Sequence, residues 1–454
     1  MKKLILFVSS LLLVGSGFAA TKPATVKQPP AKSLAQEVKE LKAEVDELKA
    51  AAPGRNDYGF VMTSPYVGIR ATYDPNDLIV NLPSVNEDVR LLEQRQELAD
   101  YADKHNFKIP ERPIIDLSGT VEGQVWSKRD YTQGSKSDID LSRAELDVIG
   151  DISRWVTGVM ILSYDSNKIT DTPRYSNSKF YVNRGFITIG NLNEFPMYGS
   201  LGQFYVPFGQ YTNYMVTTPL TQSLARTKER AVVFGYDKDK LYGAVYAYKG
   251  DTYTGDRNNV INNWGINLGY KIAIYDFGFS FGAGYISNLA DSEVMQDTNG
   301  GTFTGFKSGE SLDHFVSAVN LHGEAKYTDY SVVAEYVGAV RRFDQVSDMS
   351  FNNRGARPQA LDIEGNYNFK FMDKPTSFSL GYGRTWDALA LSLPQHSAFI
   401  KLGTAWFKST IESIEYRQDW NYSKTDTASG NGVTVTANGA KTRNIITAQV
   451  GVYF

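Results

Sequence analysis

The 454-residue chain predicts an all-β transmembrane barrel of about sixteen antiparallel strands, with a short coiled-coil helix and a small mixed segment ahead of it. Three observations carry that prediction. From residue 113 onward, segment after segment alternates apolar and polar residues with period two, the pattern of a strand with unlike solvents on its two faces. The connections between those segments alternate short and long. No apolar run reaches the ~18–20 residues of a spanning helix, whereas 28 tyrosines, 24 phenylalanines and 39 glycines supply interface rings and small residues for curved strands.

Other function classes find little support in the composition. A net charge of −3 points to neither nucleic acid nor another broadly electrostatic partner. Cysteine is absent, which excludes disulfide frameworks and thiolate metal sites and suits passage through an oxidising compartment. The four histidines, His105, His314, His322 and His396, have no paired metal spacing. No Gly-x-Ser-x-Gly elbow or phosphate-cradling glycine loop occurs, so the chain is not read as an enzyme. Asp291, Glu293 and Asp297 lie among glycines but lack the spacing of a twelve-residue calcium loop, and no metal is assigned.

Residues 1–20 have the parts of a secretory signal: Lys2 and Lys3, an apolar stretch over 4–14, and Gly17-Phe18-Ala19 as a small-x-small cleavage context. Residues 21–32, rich in Pro, Ala, Thr and Lys, form an extended linker. In 33–52, Leu34, Val38, Leu41, Val45 and Leu48 make an a/d heptad seam surrounded by Glu and Lys. So few heptads are marginal alone. The seam therefore predicts self-association or a periplasmic partner, with packing on the chain's own domain as the alternative.

Residues 53–112 form a junction that lies in the periplasm or inserts into the barrel. Ser84-Val85-Asn86-Glu87 reads as a capping box, opening a helix to about His105 with Val89, Leu92, Leu98 and Tyr101 as its apolar stripe. Thr63-Ser64-Pro65-Tyr66-Val67-Gly68-Ile69-Arg70, then Asp77-Leu78-Ile79-Val80-Asn81-Leu82-Pro83 and Asn86-Glu87-Asp88, resembles the junction of LbtU-type siderophore porins. The chain order of signal, coiled coil, junction and barrel matches as well. The resemblance implies an outer-membrane barrel with an N-terminal periplasmic extension that takes up a ferric siderophore; no ligand-contacting residue carries over from it. Two other readings stand beside it: a general diffusion porin for small solutes, and an envelope-tethering barrel acting through its coiled coil.

In the barrel, residues 113–454, strands are expected to begin near 113, 138, 155, 178, 197, 230, 240, 262, 275, 314, 330, 359, 376, 395, 410 and 440. The fourth, sixth and fourteenth are the least marked, so fourteen and eighteen are the neighbouring counts. Seven short turns interleave with eight long loops, which places both termini in the periplasm. The last strand, with Ile446, Ala448, Val450, Val452 and a terminal Phe454, resembles the closing strand of bacterial outer-membrane barrels.

A barrel of this size has room for an aqueous lumen. Expected lumen cations are Arg143, Arg184, Arg230, Lys271, Lys326 and Arg417; expected lumen acids are Glu122, Glu145, Asp147, Glu324, Glu335, Asp362, Glu364 and Glu415. The loop 210–229, with Tyr211, Tyr214 and Met215, is expected to fold inward and narrow the pore. Arg226, Lys228 and Arg230, supported by Tyr214, Arg184, Lys271 and Arg417, would then face an anionic solute.

Overall fold

In a computed structural model of the chain, the described residues are 60–63, 85–105, 112–131, 134–165, 179–255, 259–296, 305–306, 309–407, 409–430, 433–437 and 439–454. The signal, linker and coiled coil, including the seam Leu34 to Leu48, lie outside the described residues.

Alternating segments fold into one 17-stranded sheet. The short strand Phe60–Thr63 pairs parallel to the first barrel strand; the other sixteen strands close the barrel. They are β1 (Ile114–Arg129), β2 (Ser135–Asp151), β3 (Val156–Asp165), β4 (Lys179–Asn191), β5 (Phe195–Tyr205), β6 (Lys228–Lys238), β7 (Leu241–Tyr248) and β8 (Asn263–Ile274), followed by β9 (Phe277–Ile286), β10 (Ala318–Tyr327), β11 (Tyr330–Ala339), β12 (Gln359–Phe371), β13 (Lys374–Trp386), β14 (His396–Thr404), β15 (Thr410–Trp420) and β16 (Thr442–Tyr453). Each begins within four residues of its expected start. Every strand pairs antiparallel with its sequence neighbours, and β16 returns to β1 with Val450 opposite Gly123. Closure leaves no unpaired edge, the condition for a sheet in a bilayer.

The two faces of the wall separate as the alternation requires. Val125, Ile187, Leu201, Phe234, Leu268, Leu321, Ile363, Leu380, Ile400 and Val450 project outward and are exposed. At the short-turn end the belt finishes in rings: Trp155, Phe195, Tyr275, Phe277, Tyr327, Tyr330, Phe371, Phe407 and Phe454 all stand exposed beside the turns. Such a girdle is stable where ring and headgroup meet. Phe454 belongs to it. Its N–H donates to the Gly119 carbonyl at 3.0 Å, and its ring lies where a Cβ on Gly119 would come within 2.8 Å, so only glycine fits there.

At the other end, the long loops carry structure the sequence reading did not anticipate. Met349–Phe351, Arg354–Gly355, Thr427–Gly430 and Val433–Thr436 form a four-stranded sheet across two loops. Tyr253–Thr254 pairs with Ser311–Leu312 across two others. Phe343, Met349, Leu389, Leu391 and Tyr422 are buried beneath these pieces, so the loops have an apolar core of their own.

Ser84, the first residue of the expected capping box, lies outside the described residues. Helix α1 (Glu87–His105) starts at Glu87, because Asn86 adopts φ 58° and turns the chain just before it. The Glu87 carboxylate reaches the Arg184 Nε at 2.9 Å. Of the expected stripe, Leu92 is buried, Val89 is half-buried and Leu98 is exposed, with Val85 and Leu91 buried beside them; the Tyr101 side chain lies outside the described residues.

Candidate functional site

Two segments occupy the inside of the wall, and the sequence explains both. The first is α1. Its Val85, Leu91 and Leu92 join one buried apolar cluster with Ile149, Val159, Ile161, Phe186 and Tyr198 from β2 to β5. These wall residues face away from the exposed outer residues Met160, Ile187 and Ile189, so α1 lies within the barrel. Burying the strip removes apolar surface that water in the lumen would otherwise cover, roughly 25 cal/mol per Å².

Polar side chains along α1 fix its height. Val85 bridges in parallel to Tyr205 at the long-loop end of β5. Further down, Glu93 meets Lys271 at 2.5 Å, and Lys271 lies 3.5 Å from Asp237. Arg95 donates to Thr157 Oγ1 at 2.5 Å and to the carbonyls of Ser153 and Arg154, in the first short turn, at 3.0 and 2.9 Å. The helix therefore runs down the wall from mid-barrel to the short-turn end. The expected role of Arg184 as a solute-facing cation does not hold. It is 2% exposed, clamped between Glu87 at 2.9 Å and Glu145 at 3.1 Å, because a guanidinium taken out of water needs charge partners on both sides.

The second segment is the third long loop, L3 (206–227), between β5 and β6. It folds inward as expected. Gly209 turns the chain at φ 88°, with Tyr211 also left-handed at φ 53°. A Cβ at Gly209 would strike the Tyr211 ring at 2.6 Å and Glu335 Oε1 at 2.8 Å. A loop crossing a barrel carries main-chain N–H groups with no ladder to join. Wall carboxylates supply the acceptors here. Glu335 accepts from the Gln210 and Tyr211 N–H groups at 3.0 and 2.6 Å, and Glu364 from Tyr214 at 2.7 Å. Glu415 accepts from Val216 N–H and Thr217 Oγ1, both at 2.6 Å. Asp362 accepts from Thr221 N–H at 2.7 Å, in the first turn of α2 (Leu220–Ala225). Each such bond to a charged acceptor contributes about 1.5–3 kcal/mol.

These latches correct the expectation that the acids face open water. Glu335, Asp362, Glu364 and Glu415 do point inward, but they are buried against L3. Arg417 is likewise committed: it donates to Thr217 Oγ1 and the Thr218 carbonyl at 3.1 Å each and to Asp419 at 2.8 Å, and Asp419 also holds Arg443 at 2.6 Å. Tyr214 is fully buried, its hydroxyl donating to Ser331 at 2.7 Å, so it anchors the loop and cannot touch a solute.

The expected cationic cluster on L3 is also dispersed. Arg226 stacks 4.5 Å over the Tyr205 ring and is neutralised by Glu293 at 2.7 Å. Lys228 donates to Asn183 Oδ1 at 2.9 Å. Arg230 is exposed, opposite Gln203 and on the same face as the outward Phe234, because strand alternation turns Glu229, Ala231 and Val233 inward instead. Lys271 and Lys326 keep their inward positions, the latter 2.9 Å from Glu324, and Arg143 is half-buried beside Glu145 at 2.9 Å.

An open cavity of about 530 Å³ remains at the long-loop end, lined by Lys228 and Glu229 of β6, Ser223 of α2, Asp251 of the fourth long loop, and Asp291 and Glu293 of the fifth. Sequence reasoning passed over it, having read Asp291 and Glu293 only against a calcium loop. Asp291 pins two loops together, accepting from Thr252 N–H and Oγ1 at 2.8 and 2.7 Å and from Asn288 at 3.0 Å. Burial pushes its carboxyl up to about 6.

No family model matches the chain. Curated relatives do: it is 39% identical over 397 residues to a "UPF0422 protein" of Coxiella burnetii, covering 86% of this chain and 83% of that one. It is also 39% identical over 419 residues to a "UPF0422 protein" of Legionella pneumophila strain Lens, covering 87% and 76%. Among solved structures it is similar to "OmpT, an outer membrane protein" of Vibrio cholerae, at TM-score 0.44 and 13% identity over 76% of this chain and 100% of that one. It is similar too to the "Anion-selective porin from Comamonas acidovorans", at TM-score 0.50 and 12% identity over 75% of this chain and 99% of that one, a likeness of fold. The fold is thus that of the outer-membrane porins, and by its curated relatives the chain belongs to the UPF0422 family.

Proposed function

We propose that this protein is an outer-membrane channel selective for a small solute, and that the solute class is a ferric siderophore. One observation carries the selectivity: the lumen holds both α1 and L3, and four wall carboxylates fix the backbone of L3. A constriction set by buried hydrogen bonds keeps one shape, and a pore of fixed shape discriminates among solutes. The siderophore assignment rests on the resemblance of the junction, 63–70, 77–83 and 86–88, to siderophore porins.

Liposome swelling with the purified full-length protein tests both parts. A ferric chelate should permeate faster than neutral sugars of the same size, and a strain lacking the protein should grow poorly when that chelate is its iron source. Permeation ranked by size alone would make it a general diffusion porin. No permeation would leave the tethering barrel.

A further inference from the structure

We propose that the outward face of β12 and β13, at the long-loop end, binds the phosphate of a lipid headgroup. This site goes beyond the channel reading and does not depend on it. Counted along β13 from the exposed Phe378 and Leu380, Arg384 falls on the lipid-facing side of the wall. Arg357, just ahead of β12, carries the same parity as the exposed Ile363. Leu361 of β12 is directly opposite Arg384. Two guanidinium groups thus stand beside each other on a surface otherwise built for hydrocarbon.

Neither charge is met within the protein. The Arg384 Nε is buried without a hydrogen-bond partner, and no carboxylate among the described residues pairs with the guanidinium of Arg384 or Arg357. Arg384 stacks 4.7 Å over the Trp386 ring, and Arg357 donates from its Nε to the Ala339 carbonyl at 2.8 Å. Asp387, at the end of β13, is engaged elsewhere. Arg342 lies 3.1 Å and Arg354 3.9 Å from it, and it accepts from the Arg357 main-chain N–H at 3.1 Å. An arginine that faces lipid is tolerated where its head reaches headgroup level. Trp386 and Trp420, on the outward face at the long-loop ends of β13 and β15, mark that level. The planar fork of a guanidinium matches a phosphate bidentately. Beneath the two cations, Leu361, Ile363 and Leu380 offer an apolar surface that a free anion would leave uncovered. A phosphate that carries its own acyl chain fills both parts.

Native mass spectrometry of the folded full chain, released from detergent micelles, tests the site. The probes are dioleoyl phosphatidic acid, dioleoylglycerol as the same lipid without the phosphate, and inorganic phosphate as the anion without the chains. Phosphatidic acid should stay bound and dioleoylglycerol should not. Arg384→Gln and Arg357→Gln should each weaken the lipid roughly tenfold, the worth of one charge-assisted contact. Gln359→Arg, two residues from Arg357 and opposite Trp386, should tighten it, a gain that misfolding cannot produce. Equal retention of the two lipids, or of phosphatidic acid by the wild type and both Gln variants, overturns the proposal. Displacement of the lipid by an equal concentration of inorganic phosphate overturns it too, since the site would then serve a soluble anion. The measurement reads binding whether or not the barrel conducts, so its failure leaves the channel reading untouched.

Discussion

Single side chains inside this barrel act chiefly as fasteners. Arg184 joins α1 to the wall through Glu87 and Glu145, all three buried. Arg184→Ala should destabilise the protein by about 3–5 kcal/mol, because two buried carboxylates lose their shared cation; urea unfolding in detergent, followed by the loss of the fast-migrating folded band on electrophoresis, measures it. Residue types and inward parity were legible in the sequence for Glu145, Glu335, Glu364 and Glu415. For Glu335, Glu364 and Glu415 the partners were not, because a main-chain N–H of a loop 124 to 199 positions away leaves no mark in the sequence around the acid. Arg230 was misplaced for a local reason: counted along β6 from Phe234, its parity is outward, and the reading weighed its charge above its register.

At the scale of elements, α1 and L3 convert a wall into a constriction. α1 is held by apolar contact along one stripe and by polar contacts from Glu87, Glu93 and Arg95. Replacing Leu91 and Leu92 together by Asp should expel it from the wall. Single-channel conductance should then rise and trypsin should cleave at Arg90 or Arg95, whereas conductance equal to wild type would mean that α1 occupies no part of the conducting path. A sequence signal for α1 existed. Val159-Met160-Ile161-Leu162 in β3 is apolar at every position, which breaks the alternation, and a strand apolar on both faces is covered on both. The strand-like alternation elsewhere drew attention away from that run. The small sheets of the long loops had no comparable signal, since strands of two to four residues are too short to show a period.

For the molecule as a whole, the outer belt and the inner filling answer to different solvents. Leu380→Arg, at the middle of β13 on the exposed face, should cost about 2–4 kcal/mol in a bilayer, read as a shift in the unfolding midpoint in lipid vesicles. Gln449→Arg, on the inward face of β16, should leave that midpoint in place and change ion selectivity instead. Sequence alone determined the alternating wall, a strand count centred on sixteen, the order of short turns and long loops, and the face that most wall residues take. All of these follow from a period of two and from turn chemistry, which act over a few neighbouring residues. Tertiary structure alone decided what fills the wall and which charges remain free to meet a solute. Those outcomes depend on pairings across the lumen between residues far apart in the chain. Burial there turns a charge that looks available in the sequence into one already spent on its own fold.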